Sequence, residues 1–252
     1  LIKKNSYDNF LITNISGGLG NQLFCYYSSL SFANNRDISL YIDNYDYKFY
    51  RSDRGFLLNK FKIEYKIIDK KILKQFRYIP FSKLDYYFMK YFKINGHKTK
   101  QIIKEDKNDN FESVTSKIRK NSYLDGYWQN IDYLYNVKKI MQREIDLKQQ
   151  NSTIKYLMNK ISIHNSCSVH IRRGDYLSKP FNKIYNVCTE EYYQNAFKII
   201  ESRISNPLYF IFTDDINWSK LKLDNLNNKI FINDFNVNDY EEFFLLSKCK
   251  SH

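Results

Sequence analysis

In the second half of the chain, strand-length apolar runs alternate with helix-length amphipathic runs, and that alternation leaves few folds open. Cys167, Val169 and Ile171 alternate with polar residues and read as a strand. Thr189 before Glu190 and Glu191 marks a helix start, and Tyr193, Ala196, Phe197, Ile200 and Ile204 give that helix an apolar face. Pro207 leads into a strand over residues 208–212, which ends in Thr213-Asp214-Asp215 and a short helix carrying Trp218. Residues 230–232 read as another strand, and Asp239 is expected to cap a helix with Tyr240, Phe243, Phe244 and Ser247 inward. Strands that alternate with helices build a parallel sheet, whose ligands bind off the strands' C-terminal ends. Arg172 and Asp214 both fall at such ends.

The first half opens the same way. Residues 10–15 read as a buried strand, Leu23, Phe24, Tyr27 and Leu30 recur at helical spacing, and residues 39–43 read as the next strand. Between them, Ser16-Gly17-Gly18-Leu19-Gly20-Asn21-Gln22 forms a glycine-rich turn at a helix N-terminus, where Gly18 and Gly20 let backbone N–H groups approach an anionic ligand. A dinucleotide fold is the rival, because Gly18 and Gly20 give G-x-G and Asp43 lies about 20 residues on. However, Leu23 occupies the third glycine position, and the amides of Asn21 and Gln22 suit the hydroxyls of a sugar. Residues 44–110 mix Tyr, Phe and Lys, as a stacking surface for single-stranded nucleic acid would, but without a binding-module signature. Core aromatics with solvated lysines are the expectation there. Residues 122–129 form an aromatic turn whose Trp128 and Gln129 either line a sugar pocket or cap a core. A helix is expected over 130–146 with Leu134, Val137 and Met141 on one face, and the polar stretch 148–152 divides the chain into halves 1–150 and 151–252.

Charge narrows the partners less than its size suggests. The 40 Lys+Arg against 27 Asp+Glu give +13, which favours anionic partners, yet the lysines are spread along the chain. Cys25, Cys167, Cys188 and Cys249 form no C-x-x-C pair and have no histidine at zinc-finger spacing, so free thiols in a reduced compartment are expected. No run approaches the length of a membrane span and no signal peptide is visible, although the chain opens on Leu1 and a preceding segment stays open.

The densest chemistry lies in Ser168-Val169-His170-Ile171-Arg172-Arg173-Gly174-Asp175-Tyr176. A strand that delivers two guanidinium groups and a carboxylate to one loop concentrates charge where a core avoids it. Arginine's planar fork suits phosphate oxygens, so one guanidinium can grip a phosphate while its neighbour is held by Asp175. The competing reading is a surface turn with ordinary ion pairs. Asp214 and Asp215 are either a divalent-metal pair or a helix cap beside an acceptor for a base or ribose. His170 is either a base or a structural strand residue, while Cys188, His97 and His164 read as structural.

Taken together, Gly17-Gly18-Leu19-Gly20-Asn21-Gln22-Leu23-Phe24, Gly126-Tyr127-Trp128-Gln129, His170-Ile171-Arg172-Arg173-Gly174-Asp175-Tyr176 and Phe212-Thr213-Asp214-Asp215-Ile216 with Trp218 resemble the bacterial α1,2-fucosyltransferases of glycosyltransferase family eleven. The resemblance implies an α/β, GT-B-like fold of two Rossmann-like halves with parallel sheets. It implies a GDP-fucose donor, a terminal β-galactoside acceptor attacked through its 2-hydroxyl, inversion at the anomeric carbon and no required metal or other cofactor. Half 1–150 would be the acceptor side and half 151–252 the donor side. Arg172 would hold the donor's phosphates, with Arg173, His170, Gly18, Gly20 and Asp214 in the donor site, Asn21 facing fucose and acceptor, and Trp128 and Gln129 on the acceptor side. Asp175 would serve as the base or orient an arginine. A guanidinium at the β-phosphate fits the chemistry, because departure of GDP leaves negative charge there. Family members continue beyond the run that ends this chain at His252 into an Asn-Ser-x-Phe-Ser-Trp-Trp segment, so the C-terminal half is expected to be truncated, with its sheet edge and donor affinity affected. The location implied is cytoplasmic, with peripheral contact at the inner membrane left open. The alternatives are a nucleotide-dependent oxidoreductase built on Gly18, Gly20 and Asp43, and a basic module for nucleic acid or a membrane surface.

Overall fold

The computed structural model describes residues 9–49, 55–92, 98, 99, 101–179, 183 and 187–252. The chain divides into two compact units, Leu1–Asp146 and Leu147–His252.

The first unit begins with β1 (Phe10–Asn14), α1 (Leu19–Arg36) and β2 (Ser39–Asp43). It continues through α2 (Lys70–Phe76), α3 (Lys83–Tyr91), β3 (Ile102–Lys104), α4 (Phe111–Lys117), β4 (Ser122–Asp125) and α5 (Lys138–Glu144). Its sheet has the order β2-β1-β4-β3 with every pairing parallel, and Leu11 sits between Leu40 and Ser122. Alternation along the strands splits the core in two. Leu11 and Leu124 face Phe32, Val114, Trp128 and Tyr133, whereas Phe10, Ile12 and Tyr123 face Tyr41, Leu73 and Phe76. Because both faces are covered, the strands are apolar at consecutive positions.

Helix α1 is buried around most of its circumference, which explains why its polar residues are small. Ser28, Ser29 and Ser31 are all 0% exposed, and the Ser28 hydroxyl donates to the Trp128 carbonyl at 3.0 Å. The Ser31 hydroxyl donates to Asn136 Oδ1 at 2.6 Å. The helix ends at Asp37, whose left-handed backbone lets its N–H close on Ala33 and Asn34.

The helix expected over 130–146 is two elements, a 3₁₀ helix over Ile131–Val137 and then α5. In a 3₁₀ helix residues three apart eclipse, and this brings Leu134 and Val137 onto one buried edge. Met141, on α5, is only half-buried.

The second unit runs α6 (Ser152–Ile163), β5 (Asn165–Ile171), α7 (Glu190–Arg203), β6 (Pro207–Thr213), α8 (Ile216–Lys222), β7 (Lys229–Phe231) and α9 (Asp239–Lys248). Its sheet is parallel in the order β5-β6-β7, and Ser251 makes a parallel bridge to Cys167 on the free side of β5. Cys167, Val169 and Ile171 join Tyr209, Ile211, Tyr193 and Phe197 in one core cluster, while α6 packs on β5 and α9 on β6.

Two expectations for the last helix are corrected. Its N-cap is Asn238, not Asp239: Glu241 Oε2 accepts from the Asn238 N–H at 2.7 Å and from its side-chain amide at 2.8 Å. Ser247 is exposed, and the buried face is Glu241, Phe244 and Leu245, spaced three and four residues apart. The reading of residues 44–110 as a core with solvated lysines holds for Phe61 and Phe76, which are buried, but not for α3, where Leu84, Phe88 and Tyr91 are exposed.

Candidate active site

The expected site residues fall into two groups, one in each unit. In the first, the loop after β1 turns through Gly17, whose φ of 75° favours glycine. A Cβ there would also lie 2.4 Å from Asn21 Nδ2, so the Asn21 amide packs directly on the Gly17 backbone. Gly18 is the N-cap of α1, and a Cβ on Gly20 would meet nothing within 4 Å.

Gln22 is corrected from a sugar-facing amide to a structural one. It is 0% exposed; its Nε2 donates to the carbonyls of Gly17 (3.1 Å) and Gly55 (3.0 Å), and its Oε1 accepts from Leu57 N–H (2.9 Å). A buried amide whose groups are satisfied by backbone has nothing left for a ligand. Asn21 differs: it is half-buried, and its Oδ1 accepts from Gln129 Nε2 at 2.7 Å.

That contact is built by a carboxylate the sequence did not reveal. Glu105 follows β3 and accepts the backbone N–H groups of Tyr127 (2.8 Å) and Gln129 (3.2 Å), clamping the turn after β4. Gly126 makes the clamp sterically possible, since a Cβ there would lie 2.5 Å from the Glu105 Cβ. Trp128 takes φ 56° in this turn and is 0% exposed, edge-on to Phe32. It is therefore a core residue and not a pocket wall; the exposed ring of the turn is Tyr127. A lone Glu at a strand end carries no sequence signal, because only the fold brings it to a turn some twenty residues later.

Asp43 closes the dinucleotide alternative. It is 0% exposed, and its carboxylate accepts from Arg77 Nε (2.5 Å), Arg77 Nη2 (3.0 Å), Tyr123 OH (2.8 Å) and Tyr45 N–H (3.1 Å). Burial would lower the Arg77 pKa, but the charge of Asp43, the neighbouring Tyr123, the hydrogen bonds to Asp43 and the charge of Asp46 together raise it. No oxygen of this aspartate is offered to a ribose.

In the second unit, the arginine strand end is organised by the end of β6. Asp214 Oδ1 accepts the backbone N–H groups of Arg173 (2.7 Å) and Gly174 (3.0 Å), fixing the turn after β5. Asp215 caps α8 by accepting from Trp218 N–H at 3.2 Å, and its Oδ2 accepts from Arg173 Nε at 3.3 Å. The Arg173 guanidinium also sits 4.0 Å from the Trp218 ring centroid, and only 14% of its side chain is exposed. Asp175 pairs with Arg172, not Arg173, through Nη2 at 3.2 and 3.1 Å.

Arg172 is consequently the arginine left with capacity. Its side chain is 39% exposed, and its Nε is buried without a partner among the described residues. Burial would lower its pKa, but the hydrogen bond to Asp175 and the charge of Asp175 raise it, so it stays cationic. His170 sits two residues earlier and is exposed on the strand. Protein around its ring strips hydration, and Arg172 adds a like charge; together they hold its pKa below the ordinary histidine value.

Neither aspartate is arranged as a metal pair. Asp215 is a cap and ion-pair partner, Asp214 holds backbone, and no group of three or more His, Cys, Asp or Glu among the described residues could hold a metal ion. Among the remaining expectations, His164 Nδ1 meets the Lys160 carbonyl at 2.9 Å as a structural residue, Cys188 is exposed, and His97 lies outside the described residues. Burial pushes the Cys25 thiol up to about 12, which makes it unreactive.

Two parallel α/β units, with charged residues gathered at strand C-terminal ends, define a GT-B-like fold of the glycosyltransferase kind. The fold matches fucosyltransferase NodZ from Bradyrhizobium at TM-score 0.50 and 14% identity, covering 96% of this chain and 82% of that one. A NodZ α-1,6-fucosyltransferase co-crystallised with GDP matches equally, at TM-score 0.50. The family model "Glycosyl transferase family 11" matches residues 3–252, and the chain belongs to that family. It is 29% identical to an alpha-1,2-colitosyltransferase of Escherichia coli, over 97% of this chain and 83% of that protein. It is 28% identical to the O-antigen biosynthesis glycosyltransferase WbnK of Escherichia coli, over 94% of this chain and 84% of that protein.

Proposed function

We propose that this glycosyltransferase moves L-fucose from GDP-fucose to the 2-hydroxyl of a terminal β-galactoside, with inversion. The observation that carries the reading is the asymmetry of the two arginines. Each meets a carboxylate and a ring, Arg173 with Asp215 and Trp218 and Arg172 with Asp175 and Tyr176, but Arg173 is 14% exposed against 39% for Arg172, which keeps a buried Nε without a partner among the described residues. A guanidinium held this way suits the diphosphate of a nucleotide sugar.

In this reading the acceptor oxygen attacks the anomeric carbon, the bond to the β-phosphate oxygen breaks on the opposite face with both bonding electrons leaving on GDP, and the acceptor's hydroxyl proton passes to solvent water. Charge gathers on GDP as it departs, and Arg172, already oriented and cationic, stabilises it there. Both oxygens of Asp175 accept from Arg172 Nη2, which supports Asp175 as the carboxylate that orients Arg172 rather than as the base. His170 stays neutral near pH 7 beside the same phosphate site, and Asp214 keeps one carboxylate oxygen for the nucleoside. Asn21 and Gln129 form the sugar-facing pair of the first unit, with Gly18 and Gly20 opening the backbone beside them. The units thus take acceptor and donor respectively, at a cytoplasmic location where the nucleotide sugar is supplied.

The linkage in the name of the colitosyltransferase relative supports the 2-hydroxyl, and that name also supplies a second donor to test. The experiment is incubation with GDP-fucose, or with the corresponding colitose donor, and a panel of galactosides, followed by linkage analysis. A new α1,2-fucosyl linkage is expected. Transfer of colitose alone would replace the donor, and transfer to a different hydroxyl would replace the acceptor assignment.

A further inference from the structure

We propose that α3 is a docking face for an anionic lipid surface, an inference that does not rest on the donor or acceptor assigned above. The helix packs on the first unit through its inner side, where Tyr86 stacks on Phe49 with ring centroids 5.8 Å apart. Its outer side is apolar and, among the described residues, uncovered. Leu84 is 84% exposed, Phe88 55% and Tyr91 82%, a stripe at i, i+4 and i+7, and it is extended at its two ends by Phe81 (80%) and Phe92 (57%). A surface patch of this kind marks an interaction site, because exposed large side chains normally occur singly.

Charge identifies the occupant. Lys83 and Lys90 are exposed and lie seven residues apart along one flank of the stripe. Among the described residues between positions 81 and 99, Asp85 is the only acidic one, against the exposed Lys83, Lys90 and Lys98. Its carboxylate is turned back on its own helix start, accepting from Tyr78 OH and Phe81 N–H at 3.0 Å each. An apolar stripe rich in aromatic rings, edged by lysines and clear of outward acid, matches the headgroup boundary of an anionic bilayer. At nine residues, or about 13 Å, the helix lies on such a surface and does not cross it. Among the described residues no helix is long and apolar enough to cross a membrane.

The test uses the full chain and sedimentation with vesicles of equal phosphatidylglycerol and phosphatidylcholine, against phosphatidylcholine alone. Binding to the anionic vesicles is expected to be on the order of 10-fold stronger and to fall several-fold in high salt. The double variant Leu84→Ser/Phe88→Ser is expected to lose about 10-fold of that binding with an unchanged melting temperature. Should that variant misfold, Lys83→Glu/Lys90→Glu, which alters only exposed side chains, is expected to abolish the preference for anionic vesicles. The proposal is overturned by equal binding to both vesicle types, by no binding, or by variants that bind as the parent does. It is also overturned if the parent self-associates through this face, with the double variant monomeric and neither binding vesicles.

Discussion

The Arg173 guanidinium sits over the Trp218 ring, 4.0 Å from its centroid, while its neighbour Arg172 turns to Asp175, to the Tyr176 ring 4.9 Å away and to solvent. Adjacent residues of one chemical type are thereby given different work. Arg173 stiffens the strand end, and Arg172 presents charge from it.

Replacing Arg172 separates charge from geometry. Arg172→Lys keeps the cation and loses the fork, so turnover with GDP-fucose should fall by about 10²-fold or more. The melting temperature should hardly move, because the side chain is 39% exposed. Near-normal turnover in this variant would remove the phosphate grip from the mechanism.

Asp215 makes two contacts that can be taken apart. Asp215→Asn retains an N-cap and loses the ion pair with Arg173, whereas Asp215→Ala loses both. Chemical denaturation should show Ala less stable than Asn by about 1 kcal/mol, the usual worth of a cap. Equal stabilities would mean that the cap contributes nothing.

Asp43→Asn tests the buried pair. Removing its charge leaves the buried Arg77 with Asp46, 2.9 Å from its Nη2, as its remaining ion-pair partner among the described residues, and the expected loss is about 3 kcal/mol by urea titration. A stable variant with altered nicotinamide-nucleotide binding would instead revive the dinucleotide reading.

Gly17→Ala places a methyl group 2.4 Å from Asn21 Nδ2 at a φ of 75°. The strain should cost about 1–2 kcal/mol, and the displaced Asn21 should reduce transfer well beyond what the folded fraction explains. Activity that follows the folded fraction alone would make Asn21 a bystander.

His170 should leave a signature in acid. Its pKa is lowered in the folded protein, so as pH falls below about 6.5 the unfolded chain takes up a proton that the folded one resists. Stability attributable to this residue is present above that range and lost on acidification. The difference in stability between the parent and His170→Gln should therefore shrink as pH falls from 7 to 5. An NMR titration of His170 with a midpoint above 6.5 would contradict the assignment.

Patterns that depend on neighbours in the chain were legible without coordinates. Strands over residues 10–15, 39–43 and 208–212 are recognisable because a strand buried on both faces must be apolar at consecutive positions, and Thr189 announces α7 by a cap whose partner is three residues away. Boundaries set by tertiary contact were not legible. The 3₁₀ start at Ile131 and the Asn238 cap depend on what packs beside them, and the uncovered stripe of α3 has the same periodicity as a buried one.

At the site, sequence alone determined the chemistry: which residues carry guanidinium, carboxylate and amide groups, and that Arg172, Arg173 and Asp214 stand at strand ends where a parallel sheet gathers them. Only the tertiary structure decided how those groups are used. It gave Asp175 to Arg172 and Asp215 to Arg173, buried Trp128 and Gln22, and recruited Glu105 to hold Gln129 against Asn21. The physical reason is that hydrogen bonds and burial are settled by distances of about 3 Å between residues far apart in the chain, which no local pattern encodes.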